Sequence, residues 1–329
     1  MGAETYLVTG AAGFVGGHLV RYLRDRDIQV RAMVRGREGC EALEQAGVEL
    51  VVGDLTKPES LGAAVEGARG VYHIAALFRQ QGVPDAMFTD VNVEGTRVLI
   101  EASVAAGVQR FIHCSTVGVL GHIAEPPATE ETPYNPGDIY QRTKMEGEKV
   151  ALEAFRSGRI SGVVIRPAMI YGPGDTRTLK LFRMIRRRTF FYVGRGEAHV
   201  HWIDVRDLAS AFLLAMRQED QNGEVYIIAG ERSVPLRQMA AEIATQVGVR
   251  EPWIRLPVKP MQWAGSLCEA LCRPFGIEPP IYRRRVDFYT KSRSFDASKA
   301  ARDLGFKPSQ DLAGEICDIV EGYRAQGLL

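Results

Sequence analysis

The feature that most constrains this chain is a glycine-rich stretch close to its N-terminus. Thr9-Gly10-Ala11-Ala12-Gly13-Phe14-Val15-Gly16 follows the apolar run Tyr6–Val8 and precedes an amphipathic run ending at Leu23. A strand, a turn with three glycines and a helix form the opening of a dinucleotide-binding βαβ unit. Its glycines permit a tight turn and close approach of a pyrophosphate, and the helix N-terminus offers free N–H groups. Alone, the stretch is equally explained by an ordinary strand–helix turn, so its meaning depends on context.

Composition narrows the class of protein. The chain has 329 residues, enough for one large α/β unit and a smaller lobe. Apolar residues make up 46%, and the net charge of +1 gives no bias toward nucleic acid. No apolar stretch reaches the ~20 residues that cross a bilayer, and no signal peptide precedes the first strand. Five cysteines without C-x-x-C spacing predict a reducing, cytoplasmic location.

Short β-like runs alternate with helical stretches through the first half of the chain. The predicted strands are Tyr6–Val8, Gln29–Val34, Glu49–Val52, Gly70–Ile74, Arg110–Cys114 and Gly162–Ile165. The predicted helices are Gly17–Arg26, Gly39–Ala46, Ser60–Val65, Asn92–Ala106 and Ile139–Phe155. This alternation predicts a doubly wound parallel sheet with helices on both faces, a Rossmann-type α/β fold.

The second half is less regular, because prolines recur from Pro167 onward. We therefore predict a dinucleotide-binding domain over residues 1–166 and a mixed region over residues 167–329. Within the mixed region, Trp202–Leu214 with Glu224–Ala229, and Leu236–Val247, are predicted to return to the sheet. The remainder is predicted to form a smaller substrate-binding lobe over the strand C-termini, where ligands bind in such folds.

Two sets of polar residues are candidates for catalysis. Tyr140 and Lys144 lie four apart on a predicted helix, so they share one face. A cation beside a phenol lowers its pKa from about 10 and suits it to proton transfer. Ser115 and Thr116 end a predicted strand, where a hydroxyl points into the ligand crevice. The alternatives are a surface tyrosine with a solvated lysine, and hydroxyls that only cap the strand.

Together these motifs resemble those of the extended short-chain dehydrogenases/reductases, the NAD-dependent epimerase/dehydratase superfamily. That family carries T-G-x-x-G-x-x-G near the N-terminus and Y-x-x-x-K downstream, and both are matched. Further similar segments follow in the family order over nearly the whole chain: Gly53–Leu55, His73–Ala76, Val91–Thr96, Arg166–Gly174, Asp204–Ala209 and Phe295–Ala300. Their pattern is nearest the dihydroflavonol reductase and 3β-hydroxysteroid dehydrogenase-like branch.

The resemblance implies a role for each matched residue. Tyr140 is the implied general acid/base, Lys144 lowers its pKa and holds the nicotinamide ribose, and Thr116 polarises the substrate oxygen. Ser115 is the alternative for that last role. The implied cofactor-binding residues are Gly10, Ala12, Gly13, Phe14, Val15, Arg35, Asp54, Leu55, Ala75, Ala76, Tyr140, Lys144, Pro167 and Ile170. Relatives often dimerise through the helix that carries Tyr140, so a homodimer is an option.

The end of the second strand bears on the cofactor. An acid there binds the ribose 2′-OH of NAD, whereas arginine suits the 2′-phosphate of NADP. No acid lies between Ile28 and Arg37, and Val34 is followed by Arg35. NADP is therefore the predicted cofactor. NAD is the alternative, because Arg35 and Arg37 also fit solvated loop cations.

The substrate is constrained only by the resemblance. It implies hydride transfer between nicotinamide and a secondary alcohol or ketone of a hydrophobic, steroid- or flavonoid-like molecule. The alternatives are a nucleotide-sugar epimerase or dehydratase with a recycled cofactor, and a non-catalytic cofactor-sensing protein. Against a dehydratase, Thr116 is followed by Val117 rather than by the T-D-E signature; Arg195 is the nearest candidate for gripping a diphosphate.

Three further features stay open or are set aside. The apolar segment Pro260–Cys272 fits a wall for a flat substrate, an interfacial helix or a buried helix. The cluster Arg183, Arg186, Arg187 and Arg188 fits a phosphate-bearing substrate, peripheral contact with a membrane surface or a solvated helix face. His199 and His201 alternate, but no third ligand is near them, so no metal site is predicted.

Overall fold

A seven-stranded parallel sheet forms the centre of the molecule. The computed structural model describes residues 4–80, 82–272 and 289–329. The strands are β1 (Thr5–Thr9), β2 (Gln29–Val34), β3 (Glu49–Val52), β4 (Ala68–His73), β5 (Arg110–Cys114), β6 (Ser161–Pro167), β7 (Met169–Tyr171), β8 (Tyr192–Val193), β9 (His199–Val200), β10 (Trp202–Asp204), β11 (Val225–Ile228), β12 (Val234–Pro235) and β13 (Arg255–Leu256). The central sheet has the order β3-β2-β1-β4-β5-β6-β11. The predicted α/β fold class is confirmed.

The strand order reverses at β1, which places the ligand crevice. The chain runs outward from β1 through β2 to β3, and then crosses back to β4 on the other side of β1. In open parallel sheets, ligands bind outside the carboxyl ends of the strands at such a reversal. The glycine-rich stretch follows β1 directly, so it lies at this point.

Helices cover both faces of the sheet. They are α1 (Phe14–Arg24), α2 (Glu41–Gln45), α3 (Leu61–Val65), α4 (Asp85–Thr89), α5 (Gly95–Ala105), α6 (Ile139–Arg156), α7 (Leu179–Arg186), α8 (Val205–Arg217), α9 (Leu236–Val247), α10 (Val258–Cys272), α11 (Ser298–Leu304) and α12 (Leu312–Ala325). One core lies between the sheet and the pair α1 and α8, which bury Leu19, Leu23 and Phe212. A second core lies beneath α3, α5 and α6, which bury Leu61, Leu99 and Phe155.

Only part of the second half returns to the sheet. β11 is the edge strand beside β6, and α8 packs against α1. The expectation that Leu236–Val247 also returns is wrong. That segment is α9, and its apolar residues join α7 and α12 in a third core away from the sheet. The pattern of an amphipathic helix shows which face is buried but not which element packs against it. The pattern of α9 therefore fits both the central sheet and the third core.

We call the elements of residues 167–329 that lie outside the central sheet and its covering helices the smaller lobe. Very short strands pair within it. β7 pairs with β10, β9 with β12, and β8 with β13, each over two or three residues. Within the described parts of the chain, no helix is both long and apolar enough to span a bilayer.

Candidate active site

The glycine-rich turn has the shape that a pyrophosphate requires. Gly10 has φ +69°, and a Cβ added there would lie 2.8 Å from the Ala75 backbone nitrogen. A Cβ at Gly16 would lie 2.1 Å from the Gly10 carbonyl oxygen, so only glycine permits this helix–turn packing. Gly13 is the exposed N-cap of α1 and has no side chain to satisfy the first-turn N–H groups. Those donors are available to an anion.

Buried hydrogen bonds fix the end of β4 against the glycine-rich turn. Thr9 Oγ1 accepts hydrogen bonds from the backbone nitrogens of Ile74 and Ala75, both at 3.1 Å. It also lies 2.9 Å from His73 Nδ1, so the ends of β1 and β4 are fixed together. The predicted cofactor residues Gly10 and Ala75 are therefore adjacent, with Ala76 half-buried next to them.

Asn92 links the segment after β4 to the helix that carries the tyrosine. It is buried in a π-helical turn, Asp90–Glu94, immediately before α5. Its side-chain amide bonds to both the N–H and the C=O of Leu77 and donates to Thr143 Oγ1 on α6 at 3.0 Å. The close approach of Gly147 to the Asn92 carbonyl reinforces the contact, since an added Cβ would lie 2.2 Å from that oxygen.

Three further predicted cofactor residues, Arg35, Asp54 and Leu55, lie in the loops after β2 and β3. Arg35 is exposed at the end of β2 and has no ion pair within the described residues. Arg37, in contrast, lies 3.7 Å from Glu44. Asp54 accepts from the Thr56 nitrogen and hydroxyl, and chiefly the backbone bond lowers the pKa of its carboxyl. Leu55 is buried behind it against α5.

The two neighbouring hydroxyls at the end of β5 have different surroundings. Ser115 is buried, and its hydroxyl donates to the Glu148 carboxylate. Thr116 is half-buried and caps the short 3₁₀ turn Val117–Leu120, where its Oγ1 accepts from the Gly118 nitrogen at 3.0 Å. An accepting threonine hydroxyl keeps its own proton to donate. Thr116 is therefore the better placed of the two to bond a substrate oxygen.

A buried ion pair behind Ser115 was not foreseen from the sequence. Glu148 is fully buried and accepts from Arg166 Nη2 at 2.6 Å, from the Tyr134 hydroxyl at 2.7 Å and from Ser115. The network joins β5, α6 and the end of β6. Its sequence signal is the spacing: Glu148 follows Lys144 by four residues, which places both on one face of α6.

Tyr140 and Lys144 both lie on α6, as the spacing predicted, and Lys144 bonds to the end of β5. Asp138 caps the helix by accepting from the Gln141 nitrogen at 2.7 Å. Lys144 is buried, and its Nζ donates to the Cys114 carbonyl at 2.7 Å. The expected lowering of the Tyr140 pKa is wrong. Burial, followed by the Cys114 thiol, raises the pKa of Tyr140, and burial lowers the pKa of Lys144.

An aromatic ring and a guanidinium cover Tyr140, and neither was singled out in the sequence. Phe78 is 47% exposed and meets the Tyr140 ring edge-on, with centroids 4.9 Å apart. The Arg79 guanidinium lies 5.3 Å from the same ring and donates to Asp138 at 2.9 Å. Both residues directly follow Leu77, whose backbone Asn92 holds. The segment from Ala75 to Arg79 therefore runs from the glycine-rich turn to Tyr140.

The loop after β7 closes the opposite side. Pro167 ends β6, and Ile170 lies half-buried in β7. Arg177 donates to the Ile170 carbonyl at 3.1 Å, pairs with Asp175 at 2.8 Å and places its guanidinium 5.1 Å from the Phe14 ring. Arg177 thus joins the loop after β7 to the start of α1, where the first-turn N–H groups are. No spacing pattern marks this residue in the sequence.

His199 and His201 bond to protein groups. His199 Nδ1 lies 3.1 Å from Ser233 Oγ, and His201 Nε2 lies 2.9 Å from the Gly230 carbonyl. In the described residues no group of three side chains is arranged to hold a metal ion.

The residues at this crevice fit a nicotinamide dinucleotide. The turn that excludes any Cβ fits the pyrophosphate, and Lys144 and Tyr140 stand at the far end of the same crevice. The fold and the site together define an NAD(P)-dependent enzyme of the short-chain dehydrogenase/reductase class.

Comparison with known proteins agrees with that class. The model of the NAD dependent epimerase/dehydratase family matches residues 6–229. Sterol demethylase protein B of Methylococcus capsulatus is 32% identical over 99% of this chain and 100% of its own length. A 3 beta-hydroxysteroid dehydrogenase/Delta 5-->4-isomerase of Mycobacterium tuberculosis is 32% identical over 92% of this chain and 85% of its own. The crystal structure of gox2253 has a TM-score of 0.83 and 30% identity, with 100% of both chains covered. This chain belongs to the NAD dependent epimerase/dehydratase family, as its motifs indicated.

Proposed function

We propose that this protein transfers a hydride between NADP(H) and a secondary alcohol or ketone on a hydrophobic, ring-bearing molecule. The observation that carries the proposal is the pairing of Phe78 with Tyr140 at the mouth of the crevice. A nearly half-exposed aromatic ring in edge contact with the proton-transferring residue offers an apolar surface to the substrate. The names of the sterol demethylase and hydroxysteroid dehydrogenase relatives are consistent with such a substrate.

In this proposal the protein positions groups around hydride chemistry that the bound nicotinamide supplies. The Thr116 hydroxyl accepts from the Gly118 nitrogen and keeps its own proton, which it donates to the substrate oxygen. The Tyr140 hydroxyl exchanges a proton with the same oxygen. Lys144, held by the Cys114 carbonyl, keeps a cation beneath the site and is the group placed to contact the nicotinamide ribose.

The surroundings of Tyr140 favour one direction near neutral pH. Its raised pKa keeps the phenol protonated, so it is ready to give a proton to a carbonyl oxygen. We therefore propose ketone reduction as the direction favoured at neutral pH, with alcohol oxidation increasing as the pH rises.

The preference for NADP follows from Arg35. This guanidinium is exposed at the end of β2 with no ion pair within the described residues, and no acid stands beside it on the strand. A 2′-phosphate there gains charge-assisted hydrogen bonds, whereas NAD gains none.

A panel assay at 340 nm tests the proposal. Steroid and flavonoid ketones are incubated with NADPH, and UDP- and dTDP-sugars are incubated in parallel with analysis of the sugar product. Oxidation of NADPH that depends on an apolar ketone supports the proposal. Conversion of a nucleotide sugar without net change in cofactor overturns it in favour of an epimerase or dehydratase. Binding of NADPH with no turnover in any arm favours a cofactor-sensing protein.

A further inference from the structure

Two tryptophans are almost fully exposed on the smaller lobe. Trp253 is 82% exposed and Trp263 is 80% exposed, more than any other large apolar side chain in the described residues. The third tryptophan of the chain, Trp202, is only 5% exposed. Large exposed apolar side chains in one region of a protein mark a surface that meets another phase or partner.

Backbone contacts place Trp253 beside the basic end of α7. Trp253 directly precedes Ile254, whose carbonyl accepts from the Tyr192 nitrogen at 2.9 Å. Arg188 lies only four residues before Tyr192, at the turn that follows α7. The α7 terminus and Trp253 therefore both precede the β8–β13 pair, on the side where its two parallel strands begin.

A separate contact places the start of α10 at the opposite end of the β8–β13 pair from Trp253, where the two strands finish. α10 begins two residues after β13, and a Cβ added to Gly194 would lie 3.2 Å from Val258 Cγ2. Trp263 is five residues further along α10, less than two helical turns from that contact. Both tryptophans thus lie near the β8–β13 pair.

The segments that flank the β8–β13 pair carry mostly positive charge. The segments 186–188 and 250–263 expose one carboxylate, Glu251. They expose six cations, none with an ion pair within the described residues: Arg186, Arg187, Arg188, Arg250, Arg255 and Lys259. The whole chain has a net charge of only +1, so this accumulation is local. We refer to Trp253, Trp263 and these six cations as the arginine–tryptophan face.

We propose that the arginine–tryptophan face docks on the surface of an anionic phospholipid bilayer. Tryptophan favours the headgroup level of a membrane, where its ring is apolar and its N–H stays hydrated. Each Lys or Arg near an anionic surface strengthens binding by about fivefold. Aromatic anchors combined with unpaired cations are typical of proteins that lie on a membrane without crossing it. The inference is independent of the substrate and cofactor proposed above.

Vesicle flotation tests this inference with the full-length protein. Vesicles of phosphatidylcholine alone are compared with vesicles that also contain about one third phosphatidylglycerol. The protein should bind the anionic vesicles at least tenfold more strongly, and high salt should weaken this binding. Tryptophan emission should shift to the blue on binding, because Trp202 is already buried and only the two exposed rings change environment.

Matched variants locate the contact. The triple variant R186Q/R187Q/R188Q should bind anionic vesicles about a hundredfold more weakly. R26Q/R97Q/R302Q removes the same charge from exposed arginines elsewhere and should bind within about threefold of the parent, since those residues lie off the face. W253S/W263S should weaken binding at least tenfold and abolish the emission shift. Thermal melts check that each variant is folded, and either set of substitutions on the face tests the inference by itself.

Three results would overturn the inference. One is equal binding to neutral and anionic vesicles, or to neither. Another is equal weakening by R186Q/R187Q/R188Q and by the control triple variant. The third is a dimer in solution that W253S/W263S dissociates while vesicle binding stays absent, which would show that a second copy of the chain covers the tryptophans.

Discussion

The carboxyl edge of the central sheet leaves some polar groups of the described residues unpaired, whereas two buried tyrosines of the smaller lobe are paired. At the sheet edge, the Tyr140 hydroxyl and the Arg35 guanidinium have no hydrogen-bond partner within the described residues. In the lobe, two buried tyrosines pair across long stretches of sequence: Tyr171 donates to Glu315, and Tyr323 donates to the Asp175 carbonyl. The difference separates groups available to a ligand from groups that hold the fold. Substitutions of the unpaired groups at the edge should change activity, and those of paired groups, in the lobe or at the edge, should change stability.

The largest effect is expected at Tyr140. Y140F removes a hydroxyl that has no partner in the described residues, so the free energy of unfolding should stay within about 0.5 kcal/mol of the parent. Turnover should fall by about three orders of magnitude, since general acid–base groups contribute 10²–10⁴-fold. Steady-state kinetics and thermal melts measure the two quantities. A variant that keeps more than a tenth of the parent turnover would refute the assignment of Tyr140.

The adjacent pair Ser115 and Thr116 tests the same contrast within two residues. T116V should lower kcat/KM about a hundredfold while T116S restores most of it, because the role requires only the hydroxyl. S115A should keep kcat/KM within tenfold of the parent. It should instead lower the free energy of unfolding by about 1–3 kcal/mol, because Glu148 loses a donor in a buried network. The opposite outcome, activity lost in S115A and kept in T116V, would exchange the two roles.

In the lobe, Glu315 should make stability depend on pH. Burial, with smaller contributions from Asp204 and Asp207, raises the pKa of the Glu315 carboxyl to about 7. A group whose pKa is raised on folding stabilises the fold below its unfolded pKa, near 4.3, and this contribution is lost as the pH rises through the folded pKa.

The free energy of unfolding should therefore fall by up to about 3 kcal/mol between pH 5 and pH 8. E315Q should reduce that slope and leave kcat at neutral pH within about twofold. Denaturant titrations at several pH values measure the slope, and an E315Q variant with the parent's slope would argue against this account.

The smallest effect is expected at Arg35. R35A should weaken NADP binding about tenfold to thirtyfold and leave NAD binding unchanged, since a charge-assisted hydrogen bond at an exposed guanidinium should contribute about 1.5–2 kcal/mol, the lower part of the range for charged groups. R37A is the matched control, because Arg37 is already 3.7 Å from Glu44. Fluorescence titration gives both dissociation constants. Equal losses of NAD and NADP affinity in R35A would contradict a 2′-phosphate contact.

The sheet was predictable because its evidence is local. Parallel strands such as β5 are buried along their whole length and stand out as apolar runs, and the Tyr140–Lys144 spacing fixes one helix face. The strand pairs of the lobe could not be predicted, because each strand has only two or three residues and is stabilised by partners that are distant in the sequence. The pKa of Tyr140 was missed for a related reason: it depends on how deeply Phe78 and Arg79 cover the ring, which spacing along one helix does not encode.

The hydrogen bond from Tyr323 on α12 to the Asp175 carbonyl connects α12 with the start of α1. Asp175 also holds Arg177, which lies over Phe14 at the start of α1. Ordering of the glycine-rich turn by a dinucleotide should therefore restrain α12 as well, and by reciprocity loss of α12 should weaken dinucleotide affinity. Amide protons of α12 are expected to exchange more slowly with deuterated solvent once a dinucleotide is bound.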